Sequence, residues 1–145
     1  LGNNTGIAKG LGLLDVQPEV DYHGTLIGLS GVYTGTVGEL KEAFSKLTGS
    51  PVTGCILNAD APAGRIALCS GGGGDCIYQM HDKGYTTYLT GEENHWVVNA
   101  AEDMGVNILF AGHYATETFG VKALGRLLEE RFGLETVFID NPTGM

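Results

Sequence analysis

From residue 65 onward, the chain repeats one pattern three times: an apolar or β-branched run, a turn, and a segment whose apolar residues recur with helical spacing. Strands are predicted at 65–69, 85–90 and 106–111, and helices at 75–83, 94–104 and 114–132. Gly105 and Gly133 follow the second and third helices, where glycine ends a helix at low conformational cost. The pattern predicts three consecutive βα units, and therefore an α/β fold with a layered sheet and flanking helices.

The first third of the chain follows a different pattern. Residues 24–35 alternate glycine with apolar residues, which predicts strands of a hairpin. Thr36 and Glu39 have the spacing of a capping box, in which a hydroxyl and a carboxylate satisfy free amides at the start of a helix. Residues 51–57 are predicted as another strand. The helix after the capping box is expected to present one apolar face, formed by Val37, Leu40, Phe44 and Leu47.

Two further expectations concern the end of the chain. Residues 135–140 are predicted as a final strand before Asn141 and Pro142 turn the chain away. The last helix is predicted to face the core through an apolar stripe, formed by Val121, Leu124, Leu127 and Leu128.

Composition limits the class of protein. The 145 residues are most simply one domain, 1–145. Eight basic against 17 acidic residues give a net charge of −9, which argues against nucleic acid as the partner, because binding its phosphates needs clustered Lys and Arg. Three cysteines without a CxxC pair are typical of a reducing compartment. Because no apolar stretch nears the roughly 18 residues of a membrane span, a soluble cytoplasmic protein is expected.

His113 and Glu117 are the first candidate site residues. They lie four positions apart, so on a helix an imidazole nitrogen and a carboxylate oxygen can reach one point. His113 also follows the predicted strand 106–111, and open α/β sheets bind ligands beyond the carboxyl ends of their strands. Zinc, manganese, iron and nickel accept such a pair of ligands. Taken alone, the same spacing is more often an ordinary surface pair.

Four segments of the chain together resemble one family. They are GNNTGIAKGLGL at the start, RIALCSGGGGDCI and YTTYLTGEENHW in the middle, and GHYATETFGVKALGRLLEERFGLETVFIDNP near the end. In these motifs the chain resembles the Nif-three-like hexameric proteins with a dinuclear metal centre, also called GTP cyclohydrolase type 2 homologues. The resemblance covers essentially all 145 residues.

The resemblance implies a site for two divalent metal ions, of a kind that the sequence does not specify among zinc, manganese, iron and nickel. In the family, a His-His pair and an Asp near the N-terminus hold the metals together with the His and Glu of a GHxxxE motif, here His113 and Glu117. The first three ligands have no counterpart, and the Asp would fall a few residues before Leu1. The resemblance therefore implies a chain that begins after half of its site. It also implies a duplicated, intertwined α/β fold and a homo-hexamer.

The resemblance adds a role for Glu92. Thr90-Gly91-Glu92 matches a family motif at the mouth of the metal cleft, where Glu92 would be a catalytic carboxylate that orients water or a ligating histidine. Read without the family, Glu92 is an acidic residue in the first turn of a helix. His95, three residues later, could face the same cleft or be exposed.

The glycine-rich turn at 70–74 has two interpretations. In the family it borders the metal cleft, and backbone amides in such a turn can cradle an anion. Taken alone, it is more often a tight turn, since it lacks the Lys and Ser or Thr of a Walker A loop. Cys69 and Cys76 flank the turn at no recognised ligand spacing, so both are interpreted as structural.

Two classes of function fit these features. The first is a dinuclear-metal-dependent hydrolase of a small phosphorylated or nucleotide-like substrate, in which the metals would activate water and clamp the anion. The second is a non-catalytic metal-binding or regulatory scaffold protein, since a fold alone does not decide a chemistry. The hydrolase is the preferred interpretation.

Overall fold

A computed structural model describes residues 1–143 and places six strands of that part in one mixed sheet. The strands are β1 (Leu14–Tyr22), β2 (Thr25–Thr36), β3 (Thr53–Cys55), β4 (Pro62–Cys69), β5 (Thr87–Thr90) and β6 (Asn107–Phe110). The helices are α1 (Asn3–Gly10), α2 (Val37–Thr48), α3 (Ile77–Asp82), α4 (His95–Met104), α5 (His113–Thr116) and α6 (Thr118–Phe132), and a 3₁₀ turn at Gly74–Cys76 leads into α3. None of the helices in this part of the chain has the length and apolar character needed to cross a bilayer.

The order of the strands across the sheet is β1-β2-β4-β5-β6-β3. The central strands β4, β5 and β6 are parallel neighbours, and the three outer pairings are antiparallel. The three predicted βα units are therefore confirmed, and with them the α/β fold. Because the strands of these units are parallel, the loops that follow them meet at one edge of the sheet.

Helices cover both faces of the sheet, which explains why β5 and β6 are buried at every position. Adjacent residues point to opposite faces: Tyr88 packs in the cluster that α3 and α4 form with the sheet, whereas Leu89 packs in the cluster under α1 and α2. The predicted capping box of α2 is confirmed, since the Glu39 amide donates to Thr36 Oγ1 and the Thr36 amide donates to the Glu39 carboxylate. The apolar face of α2 is buried through Val37, Leu40 and Phe44.

Several predicted elements are wrong in detail. Residues 25–35 lie in one long strand, β2. Its hairpin partner is β1, and the turn between the two strands is at 23–24. The predicted strand at 135–140 is absent from the described residues, and that segment has no regular secondary structure and is largely exposed. A strand needs a neighbour to share its hydrogen bonds, so β-branched composition alone does not create one.

The last helix also differs from the prediction. It is divided at Glu117, where a φ of −103° separates α5 from α6. No residue of α6 is fully buried, and the predicted inner stripe is wrong, because Val121 and Leu124 are 58% and 46% exposed. The helical period of the apolar residues is present, but in the described chain that face has little packed against it.

Candidate metal centre

The loops after β4, β5 and β6 are joined to one another by backbone hydrogen bonds. The carbonyl of Gly71 accepts from the amides of Gly91 and Glu92, at 3.1 and 2.9 Å. The amide of Gly112 donates to the carbonyl of Gly91 at 2.8 Å. Three segments that are distant in sequence are therefore held in one fixed arrangement at the carboxyl edge of the sheet.

Thr116 joins the first and third of these loops, and sequence reasoning missed it. Its side chain is fully buried, and Oγ1 accepts from the amide of Gly71 at 3.0 Å while lying 3.0 Å from the carbonyls of Gly112 and His113. Back-bonding of a threonine to its own helix is a common local pattern. The contact with Gly71 spans 45 residues, so no local signal could have indicated it.

His113 and Glu117 lie together, as their spacing predicted. The distance between His113 Nε2 and Glu117 Oε2 is 3.2 Å. The two side chains are 38% and 46% exposed, so the nitrogen and the oxygen point into an open cleft rather than into the core. A cavity of about 310 Å³ borders them and is also lined by Tyr114, Thr118 and Phe138.

Glu92 holds the other side of the imidazole. Its Oε2 lies 2.8 Å from His113 Nδ1. Such a bond places a proton on Nδ1 and leaves the lone pair of Nε2 free on the side of Glu117, which is the arrangement that carboxylate–histidine–metal triads use. The hydrogen bond that His113 donates to Glu92, helped by the charge of Glu117 and opposed by partial burial, raises the pKa of His113 above its usual 6.5. A metal ion at Nε2 would displace the Nε2 proton of the protonated ring and leave the Nδ1 proton bonded to Glu92.

The space between the ligands and the glycine-rich turn suits a bound ion. Gly71 has a φ of +70°, and a Cβ built on it would lie 2.5 Å from Glu117 Oε1 and 3.1 Å from His113 Nε2. Glycine suits this position for two reasons. It adopts the positive φ without strain, and it has no Cβ to collide with Glu117 and His113. One imidazole nitrogen and one carboxylate suit zinc, manganese, iron or nickel. The residues present therefore fit a metal ion.

The ligand set in the described chain is nevertheless partial. Within residues 1–143 there is no group of three or more His, Cys, Asp or Glu side chains with the geometry of a metal site. Firm binding of zinc-like ions takes three or four protein ligands. If a metal ion binds here, His113 and Glu117 supply two of the three or four ligands that it needs.

The remaining candidates are the two cysteines, His95 and the glycine-rich turn, and none of their side chains supplies a further metal ligand next to this pair. Burial raises the pKa of Cys69 to about 11 and also raises the pKa of Cys76, so neither thiol is disposed to ionise and bind metal. His95 is exposed at the start of α4. The glycine-rich turn makes its contribution through Gly71, which gives the two ligands room.

Comparison with known proteins gives one consistent result. Residues 1–144 match the model of the family described as Duf34/NIF3 (NGG1p interacting factor 3). The chain is similar to the GTP cyclohydrolase 1 type 2 homologs of Pyrococcus horikoshii, at 41% identity, and Deinococcus radiodurans, at 37%. Each alignment covers 100% of this chain but 58% and 56% of the relative, so the chain spans about half the length of the curated relatives it matches. The solved structure of protein ybgI, of unknown function, matches with a TM-score of 0.86 at 32% identity, over 99% of this chain and 57% of that one.

Proposed function

The chain belongs to the Duf34/NIF3 family, and on that premise we propose that the whole protein is a hydrolase that depends on two divalent metal ions and acts on a small phosphorylated or nucleotide-like molecule. The observation that carries the proposal is the convergence of His113 Nε2 and Glu117 Oε2, 3.2 Å apart, with the opposite ring nitrogen held by Glu92. The name of the relatives, GTP cyclohydrolase 1 type 2 homolog, supports hydrolysis as the reaction class.

When bound, two divalent ions would lower the pKa of a coordinated water and would neutralise the charge of an anionic substrate. His113 and Glu117 would each supply one ligand atom. Glu92 would act as a positioning residue, because its carboxylate fixes the orientation and the tautomer of the imidazole. The net charge of −9 does not oppose an anionic substrate, since bound metals provide the local positive charge.

A non-catalytic metal-binding scaffold is the second candidate. The two side chains are 38% and 46% exposed in the described chain, as an open catalytic site requires, and the ligands that complete the site decide between the two candidates. A structural metal site closes its coordination sphere with protein ligands, whereas a catalytic site keeps a position open to water and substrate.

The proposal is tested first by metal content. In the full-length protein, His113→Ala and Glu117→Ala should each strongly reduce bound metal, as measured by mass spectrometry of the desalted protein. Both side chains lie at the surface of a cleft, so the far-ultraviolet circular dichroism should be unchanged. Cys69→Ser is the control, and it should retain metal because its thiol is buried and resists ionisation. Metal that followed Cys69 instead would contradict the ligand assignment.

A hydrolysis screen with nucleotides and phosphoesters then separates the two candidates. The hydrolase proposal requires a turnover that is lost on chelation and restored by a divalent ion. Metal binding without turnover of any phosphorylated compound would favour the scaffold. We also propose that the full-length protein is a homo-hexamer, which sedimentation equilibrium measures directly, and a monomer would contradict this.

A further inference from the structure

A second cavity, of about 530 Å³, borders the glycine-rich turn and shares no lining residue with the cavity at His113 and Glu117. Its walls come from the end of β1, the turn after β4, and α3. Gly72 lines this cavity, and a Cβ built on Gly72 would lie 3.4 Å from Glu92 Oε2 and 3.6 Å from His113 Cε1. Gly72 therefore separates the cavity from the candidate metal centre. Because Gly72 has no side chain, one bound molecule can extend across it and contact both.

Two of the residues that line the cavity are exposed tyrosines. Tyr22 and Tyr78 are 58% and 51% exposed, and the ring of Tyr22 lies edge-on to His23. Tyr78 stacks on Trp96, with ring centroids 5.9 Å apart and an angle of 13° between the planes. This stack restrains the ring of Tyr78 without burying it, and a restrained aromatic surface binds a flat ligand at a low entropic cost.

The charged groups of the cavity are acceptors. Asp21 and Asp75 both line it, and among its described lining residues there is no Lys, Arg or His. One carboxylate oxygen of Asp21 accepts from the amide of Gly24, which leaves the other for a ligand. Carboxylates repel a phosphate and accept hydrogen bonds from N–H and O–H groups. The cavity thus suits the uncharged, donor-bearing part of a molecule that has a flat face.

We propose that this cavity is a nucleoside subsite of the hydrolase, and the proposal rests on the function proposed above for the neighbouring centre. The base would stack on Tyr78, and its amino group and the ribose hydroxyls would donate to Asp75 and Asp21. The phosphate would extend over Gly72 towards His113 and Glu117. The substrate class is therefore a nucleotide, rather than a phosphorylated sugar or inorganic polyphosphate.

The test uses full-length protein freed of metal by a chelator, with adenosine and guanosine as probes in isothermal titration. At least one nucleoside should bind without metal, and ribose 5-phosphate should not. Tyr78→Ala should weaken binding about tenfold, which is about 1.4 kcal/mol and lies within the range for one base on one aromatic ring. Tyr78→Phe should restore the affinity. Asp75→Asn should weaken binding, whereas Asp82→Asn, at the opposite end of α3 and 81% exposed, should not.

Two results would overturn the subsite. One is the absence of nucleoside binding to the metal-free protein, and the other is an unchanged affinity in both Tyr78→Ala and Asp75→Asn. Failure of the hydrolase proposal can be distinguished from failure of the subsite, because it appears in the metal content and turnover of the unmodified protein. Binding of a nucleoside that depends on Tyr78 in a protein without turnover would support the subsite and reject the hydrolase.

Discussion

Substitution of Gly71 by alanine tests the metal centre most sharply. A Cβ at this position would lie 2.5 Å from Glu117 Oε1, whereas real Cβ atoms essentially never approach closer than 3.0 Å, so the oxygen must retreat by at least about 0.5 Å. This displacement exceeds the roughly 0.2 Å by which ligand distances vary in metal sites. We therefore expect the metal affinity of the full-length protein to fall at least about tenfold, by comparison with the 10- to 100-fold losses that follow removal of an outer hydrogen bond.

The same substitution also strains the backbone, and the control must separate the two effects. Gly71 has a φ of +70°, where a residue with a side chain costs about 1–2 kcal/mol. Gly12 has a φ of +68°, and a Cβ there would meet no atom within 4 Å. Gly12→Ala should therefore lose about the same free energy of unfolding while it keeps its metal.

Isothermal titration with zinc or manganese measures the affinity, and urea denaturation of the metal-free protein measures the stability. Two outcomes would refute the reasoning. Wild-type affinity in Gly71→Ala would show that Glu117 is not a ligand in this position. An equal loss of affinity in Gly12→Ala would show that backbone strain, rather than the contact with Glu117, is the cause.

Three further substitutions test the surrounding structure. Glu92→Gln removes the charge and weakens the hydrogen bond that raise the pKa of His113, the proposed ligand, and should lower metal affinity about 10- to 100-fold. Glu93→Gln should leave the affinity unchanged, and equal effects of the two substitutions in a titration would contradict the positioning role of Glu92. The hydrogen bond from Lys83 holds the pKa of Glu19 below 4.5, so the stability that this carboxylate contributes is present above pH 4.5 and is lost as the pH falls through its lower folded value. Glu19→Gln should therefore destabilise by up to about 1 kcal/mol at pH 7 but not near pH 2, and urea melts that differ equally from wild type at both pH values would contradict this. Phe44→Ala empties a fully buried position under α2 and should cost about 3–5 kcal/mol in denaturant unfolding; a loss below about 1 kcal/mol would show that the position is not part of the core.

Features that depend on neighbours in sequence were predictable from the sequence alone. The order of the βα units follows from the period of apolar residues, which reports which face of each element is buried. The capping box at Thr36 and the glycine ends of α4 and α6 each involve residues within one helical turn. The same holds for His113 and Glu117, because four residues along a helix correspond to one turn.

Features that depend on the order of strands across the sheet were decided only by the tertiary structure. The bond between Glu92 and His113 spans 21 residues, and the bond from Gly71 to Thr116 spans 45. Both exist because β4, β5 and β6 are adjacent and parallel, which brings their following loops to one edge.

The segment after Gly133 shows the opposite case. Its β-branched residues predicted a strand, yet it has no regular secondary structure and is largely exposed. Much of the helix α6 is exposed as well. Periodicity in a sequence states which residues can be buried. Whether they are buried depends on which surfaces pack against them, and that is a property of the assembled fold.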